Sequence, residues 1–307
     1  MASRIHIGTS SWTDKELVGS GRFYPPEVKD SESRLTYYAQ RLSLVEVDST
    51  YYAMPSTRNS ELWASRTPDG FRFDVKAFAL FTGHPTPLGS IPKSFHERLP
   101  PESRNKARLY AKDVPEDVRG ELWSIFRNAL RPLQRNGRLG AILFDLPPWA
   151  GPSEANRSQV LEAIEHLPEY RIVVQFRSPA WVNDEHREST LAFLREHVLG
   201  LVCVDEPQGL KTSIPPLAEV TGPTALVRFF GRKADTWERR GAGTAERFDW
   251  LYSEEELGEW LPRIEKLASQ AEEVHLMFNT KVGDQGVQNA MRLQGLLGLG
   301  GRQTVHQ

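Results

Sequence analysis

The chain has 307 residues, of which 39% are hydrophobic and 25% charged, and a formal net charge of −2. That is the composition of an ordinary folded protein, and its near-neutral charge excludes a global electrostatic drive towards nucleic acid or an anionic membrane. A single cysteine, Cys203, excludes an intramolecular disulfide and a cysteine-rich metal site.

With no signal-peptide core at the N-terminus and no apolar run near the ~20 residues of a membrane span, a cytoplasmic protein without a membrane partner is expected.

Hydrophobic periodicity orders the elements. A short strand over His6–Trp12 opens the chain, and Ser33 is placed to cap a helix running to Leu42. A second strand spans 44–50 and contains VEVDST. An extended chain alternates faces, so Glu46, Asp48 and Thr50 share one side and Val45, Val47 and Ser49 the other. A short helix over 59–66 precedes a third strand, 71–78, in which Phe71, Phe73 and Val75 alternate with Arg72, Asp74 and Lys76. Residues 79–118 are irregular and rich in proline, as in a functional loop or insertion. A long amphipathic helix over 118–136 ends at Gly137, which suits a helix C′ position.

Strand and helix then alternate. Strands are predicted over 140–147, 172–178, 201–205, 225–231 and 274–279, and helices over 154–167, 188–197, 253–270 and 285–297. Between 207 and 216 a proline-broken segment stands in for a helix, and 232–250 is a polar loop. Ser253 with Glu256 three residues on forms a capping-box pattern.

Eight strands, each followed by a helix or its substitute, predict a parallel eight-stranded TIM-type (β/α)8 barrel. It would form a single domain over 1–307 with the irregular insertion after strand three. One parity is apolar in strand after strand. The other carries Glu46, Asp48, Asp74, Lys76, Asp145, Gln175, Arg177, Asp205, Arg228 and Asn279. The apolar parity suits the helix layer. The polar parity is expected to point into the barrel, mostly near the C-terminal strand ends where such barrels keep their sites.

Several segments carry a resemblance to a known family. They include IGTSSW ending at Trp12, VEVDSTYYAMPS (45–56), FDVKAF (73–78), TGHP (82–85), LFDLPPW (143–149), QFRSPAW (175–181), VCVDEP (202–207), VRFFGR (227–232) and FNTKVGDQGVQNA (278–290). In order and number they resemble domain of unknown function 72, the YecE-like proteins, over nearly the whole chain. The resemblance implies a TIM-type barrel with no established activity. That barrel is similar to the endonuclease IV and xylose isomerase group, a likeness on which a nucleic-acid role has been proposed. Four positions depart from the family pattern: Asp145 where Gln is frequent, Gln175 where Glu is usual, Phe230 where His is usual, and Thr280 in place of a second Asn after Asn279.

Buried carboxylates at a barrel mouth point to acid–base work or to ion pairing. Glu46 and Asp48 are the candidate acid and base, with Lys76 and His84 as partners in proton transfer. Arg177 and Arg228 can hold phosphate or carboxylate, while Trp12, Gln175, Asp205 and Asn279 complete the candidate substrate-binding set. His6, His84 and His275 lack compact metal-ligand spacing, and neither a metal nor an organic cofactor is expected.

No GxGxxG, P-loop or GxSxG motif is present. The leading expectation is a hydrolase- or lyase-like enzyme acting on an anionic or polyol small molecule. The alternatives are a nucleic-acid or phosphate-ligand binding barrel, and a barrel whose interior charges are only structural.

Overall fold

The computed structural model describes residues 4–299. The eight barrel strands are β1 (Arg4–Thr9), β2 (Leu44–Val47), β3 (Arg72–Lys76), β4 (Leu139–Asp145), β5 (Ile172–Gln175), β6 (Gly200–Asp205), β7 (Thr224–Phe229) and β8 (Glu273–Phe278). All pair in parallel, each with its sequence neighbours, and β8 returns to β1 to close the ring. Helices fill the connections, including Ser31–Ala39, Thr57–Ser65, Glu116–Arg135, Glu154–His166, Arg187–Glu196, Leu261–Gln270 and Gln285–Leu296. This is the TIM-type barrel that the strand count predicts.

Local chemistry explains the boundaries that differ from expectation. The N-cap of the first long helix is Asp30, whose carboxylate accepts from Ser33 N–H, so Ser33 lies inside the helix. The capping box at Ser253 and Glu256 forms, but its helix stops at Gly258 and a second begins at Leu261. Pro262 in the first turn of that second helix lacks the N–H that would continue the first. Glu116–Arg135 ends where Gly137 takes φ 62°, as a C′ glycine does. Residues 79–118 contain a two-stranded antiparallel pair, Thr86–Pro87 with Arg108–Leu109, together with 3-10 turns and a short helix.

The outward parity forms the apolar layer beneath the helices. Phe71, Phe73 and Trp63 stack there, and Phe229, Phe278 and Trp260 repeat the arrangement on the far side. The inward parity of β3 steps from base to mouth as Arg72, Asp74 and Lys76. Only Lys76 reaches the mouth.

Asp74 belongs to a charged plug at the basal end. Its two carboxylate oxygens each lie 2.9 Å from His275 Nδ1, and Oδ1 also accepts from Ala141 N–H at 2.8 Å. Glu273 lies 3.3 Å from His275 Nε2 and is held through both oxygens by Arg72. The ladder between β3 and β4 is irregular at this point: Phe73 faces Leu139 but Val75 faces Ile142, so β4 carries an extra residue. That residue borders Gly140, where a Cβ would fall 2.4 Å from Asp74 Oδ1 and 2.9 Å from His275 Cε1. The plug therefore requires glycine there.

Candidate active site

β2 ends at Val47, earlier than the period-two pattern suggests. Asp48 takes helical backbone angles (φ −79°, ψ −24°) and precedes a single helical turn, Ser49–Tyr52. The expected alternation of Glu46, Asp48 and Thr50 along one strand face is thus replaced by a strand-to-helix corner. Thr50 Oγ1 lies 2.6 Å from Lys76 O and 2.9 Å from Val47 O, tying that corner to β3.

The corner still brings Asp48 to Lys76, with Nζ 3.6 Å from Asp48 Oδ1 and 3.2 Å from Asp145 Oδ2. Lys76 Nζ also sits 4.6 Å from the centre of the Tyr51 ring. Burial works to lower the Lys76 pKa, but Asp145 and Asp48 outweigh it and hold the ammonium above its usual range. Burial likewise pushes Asp145 upward, and Lys76, Arg177 and Arg228 more than offset it, so this carboxyl lies below its usual range. Asp145, one of the four departures, is therefore an ionised member of the site.

Glu46 is in the opposite condition. Its Oε1 accepts from Arg228 Nη2 at 2.7 Å, yet Oε2 is buried with no hydrogen-bond partner among the described residues. Complete burial drives its pKa up to about 7, because desolvation outweighs the attraction of Arg228 and Asp48 adds repulsion. The second Arg228 nitrogen donates to Gln175 Oε1 at 2.7 Å, and its guanidinium lies 5.0 Å over the Phe230 ring. Two further departures, Gln175 and Phe230, thus form the neutral sides of the Arg228 seat. Thr280, the fourth, accepts from Asn289 Nδ2 and joins the last strand to the last helix.

His84 packs edge-on between Tyr51 and Trp149, with Nδ1 2.9 Å from Thr82 Oγ1. Burial, the largest influence, lowers its pKa to about 4, so the imidazole is neutral at pH 7. Arg177 follows β5, is exposed, and makes no hydrogen bond or ion pair among the described residues. Its charge acts on Asp145, His84 and Tyr51. Asn279 is buried just past β8 and donates its backbone N–H to Phe229 O.

Two expected site residues lie elsewhere. Asp205 was expected to face the interior, but in β6 the inward side chains are Val202 and Val204. Asp205 points into the helix layer, where it accepts from Tyr252 Oη at 2.6 Å, Trp260 Nε1 at 2.6 Å and Arg232 Nη2 at 2.8 Å. Trp12 lies beyond β1 and packs edge-on against Trp63 and Phe73 of the outer layer.

Conversely, Glu206 emerges as a mouth residue. Burial raises its pKa to about 7, while Ile214 N–H and Arg177 oppose the shift. A strand-end acid followed by Pro207 was the available sequence signal.

Among the described residues, His6, Glu273 and His275 place possible metal-ligating atoms within 4.8 Å of one another. They lie in the basal plug, where Arg72 already grips the Glu273 carboxylate. His275 is raised to about 9 because Asp74 and Glu273 outweigh its burial. Protonated His275 and Arg72 balance those two carboxylates without a further cation. No helix among the described residues is long and apolar enough to cross a membrane.

The family model described as "Protein of unknown function DUF72" matches residues 6–307. The UPF0759 protein YunF of Bacillus subtilis (strain 168) is 28% identical over 298 residues, covering 95% of this chain and 94% of that protein. A solved DUF72 family protein from Thermotoga maritima MSB8 superposes with a TM-score of 0.70 at 28% identity, covering 96% of this chain and 99% of that one. Another from Enterococcus faecalis V583 gives a TM-score of 0.75 at 25% identity, covering 96% and 95%. With the barrel, the motif order and these matches in agreement, the chain belongs to the DUF72 family of proteins of unknown function.

Proposed function

We propose that this barrel is a hydrolase- or lyase-like enzyme acting on an anionic or polyol small molecule, with Glu46 as the proton carrier. The observation that carries this reading is the Glu46 carboxyl, buried, anchored through one oxygen to Arg228, and unpartnered at the other among the described residues. A carboxyl poised at about 7 can give and take a proton at neutral pH. Asp145 in the same mouth stays ionised beside Lys76. Neighbouring carboxyls with divergent proton affinities are the usual basis for dividing acid and charge-stabilising roles.

Glu46 Oε2–H would protonate the oxygen that leaves the substrate, and Arg228 would stabilise the carboxylate left behind. Lys76, fixed between Asp48 and Asp145, would bind developing negative charge rather than release a proton. Neutral His84 would serve as wall rather than acid. One buried cysteine is compatible with a reducing, cytoplasmic setting.

The test begins with an activity screen over hydroxylated and anionic metabolites. Glu46→Gln is then expected to lower kcat by about 10²–10⁴-fold while leaving the circular dichroism spectrum intact, and the wild-type pH–rate profile should show a limb near 7. Full activity in Glu46→Gln would sink the reading.

A further inference from the structure

We propose that the mouth binds a hydroxylated ring bearing an anionic group, a sugar phosphate or sugar acid, with the ring against Trp149 and the anion on Arg177. This rests on the mouth being the functional site and narrows what enters it.

Three independent features point to this ligand. The first is a continuous aromatic wall. Tyr52, Tyr51, His84 and Trp149 follow one another at centroid distances of 4.9, 5.3 and 5.9 Å. Its two ends stand open, with Tyr52 66% and Trp149 65% exposed. Open aromatic faces beside a polar floor suit a ring with one apolar face and polar edges.

The second feature is the pair of oxygens left unpartnered beneath that wall. Glu46 Oε2 and Asp145 Oδ1 are both buried with no hydrogen bond among the described residues. Such atoms are costly unless something completes them. A fully ionised anion oxygen cannot complete ionised Asp145, because two negative oxygens would meet. A hydroxyl can, because it donates to ionised Asp145 and either donates to or accepts from Glu46.

The third feature is Arg177, an exposed guanidinium with no hydrogen-bonding or ion-pair partner among the described residues. It follows β5 two residues past Gln175, whose side chain is hydrogen-bonded to Arg228, and so stands at the same end of the barrel. A planar guanidinium grips phosphate or carboxylate through paired N–H groups. The floor asks for hydroxyl groups and the rim for negative charge, and a single ligand carrying both meets the two demands together.

Calorimetric titration would use glucose, glucose 6-phosphate, ribose 5-phosphate, glucuronate, inorganic phosphate and a single-stranded oligonucleotide as probes. A phosphorylated or carboxylated sugar is expected to bind about tenfold or more tightly than its neutral parent. Arg177→Gln should erase that advantage, and Trp149→Ala should weaken both forms. Preference for glucuronate over glucose 6-phosphate would identify a carboxylate as the anion, and the reverse a phosphate.

The proposal is overturned if no sugar binds, if inorganic phosphate binds as well as the sugar phosphates, if Arg177→Gln changes nothing, or if only the oligonucleotide binds. Repeating the titration with Glu46→Gln separates the two readings. Sugar binding that needs Trp149 and Arg177, with turnover indifferent to Glu46, removes the catalytic role alone. Turnover that needs Glu46, on a substrate indifferent to Arg177, removes the ligand class alone.

Discussion

Burial raises the pKa of Glu46 against the pull of Arg228, and Gln175 shares that guanidinium with it. The guanidinium divides its two terminal nitrogens between Glu46 Oε1 and Gln175 Oε1, both at 2.7 Å. Because Gln175 is neutral, Glu46 is the one carboxylate hydrogen-bonded to this cation among the described residues. The resemblance noted from the sequence leads one to expect a second carboxylate at that position. Gln175→Glu is therefore expected to raise the Glu46 pKa from about 7 by roughly one unit or more, through like-charge repulsion and competition for Arg228. Infrared difference titration of the carboxyl band, with Glu46→Gln to assign it, reads the shift directly. A downward or absent shift would show that Arg228 does not couple the two positions. The departures at Asp145, Gln175 and Phe230 each touch Lys76 or Arg228, and both of those cations keep a carboxylate partner.

Single strands show where sequence patterning succeeds and where it stops. In β3 the alternation is faithful: Phe73 and Val75 pack outward, while Asp74 and Lys76 point in. In β6 the same rule misleads, because both parities are compatible with burial and the polar one turns outward. The donors that accept this inversion, Arg232, Tyr252 and Trp260, lie 27, 47 and 55 residues away in sequence. No local pattern announces them. Asp48 was misplaced for a more local reason, since its strand gives way to a helical turn one residue earlier. The lysine contact survived because a corner brings that side chain back over β3. Asp205 consequently gets a structural role. Asp205→Ala would strand a buried tyrosine hydroxyl and a buried indole N–H and leave Arg232 to Glu259 and Glu256, and should destabilise the fold by about 3–5 kcal/mol. Urea unfolding measures this, and affinity at the mouth should be unchanged per folded molecule. A loss below 1 kcal/mol, or an altered ligand affinity, would return Asp205 to the site.

The barrel as a whole carries buried groups with raised proton affinity at opposite ends, Glu46 and Glu206 at the mouth and His275 in the basal plug, and these set its response to alkali. Glu46 at the mouth is raised from 4.5 to about 7, and His275 in the basal plug from 6.5 to about 9. A raised folded-state pKa means that the native state holds its proton more tightly than the unfolded chain. The Glu46 contribution is therefore fully present below pH 4.5 and lost as pH rises through about 7. That of His275 is fully present below pH 6.5 and lost as pH rises through about 9. Each is worth on the order of 3 kcal/mol.

Opposing groups act on the acid side. His6 beside His275 is lowered to about 3, chiefly by burial, so its contribution is present above pH 6.5 and lost as pH falls through about 3. Glu273 is held below its usual range by His275 and Arg72 against the effect of burial, and its contribution also disappears in acid. Stability should consequently peak in the mildly acidic range and decline in two steps towards alkali. Urea unfolding free energies from pH 4 to pH 10 test this. Glu46→Gln should shrink the lower step, to which Glu206, also raised to about 7, contributes, and the paired replacement Asp74→Asn with His275→Gln should flatten the upper one without leaving an unmatched buried charge. An alkaline decline that persists unchanged in the paired variant would mean that the plug is neutral in the native protein, and the cation balancing Asp74 and Glu273 would then have to be something other than a proton.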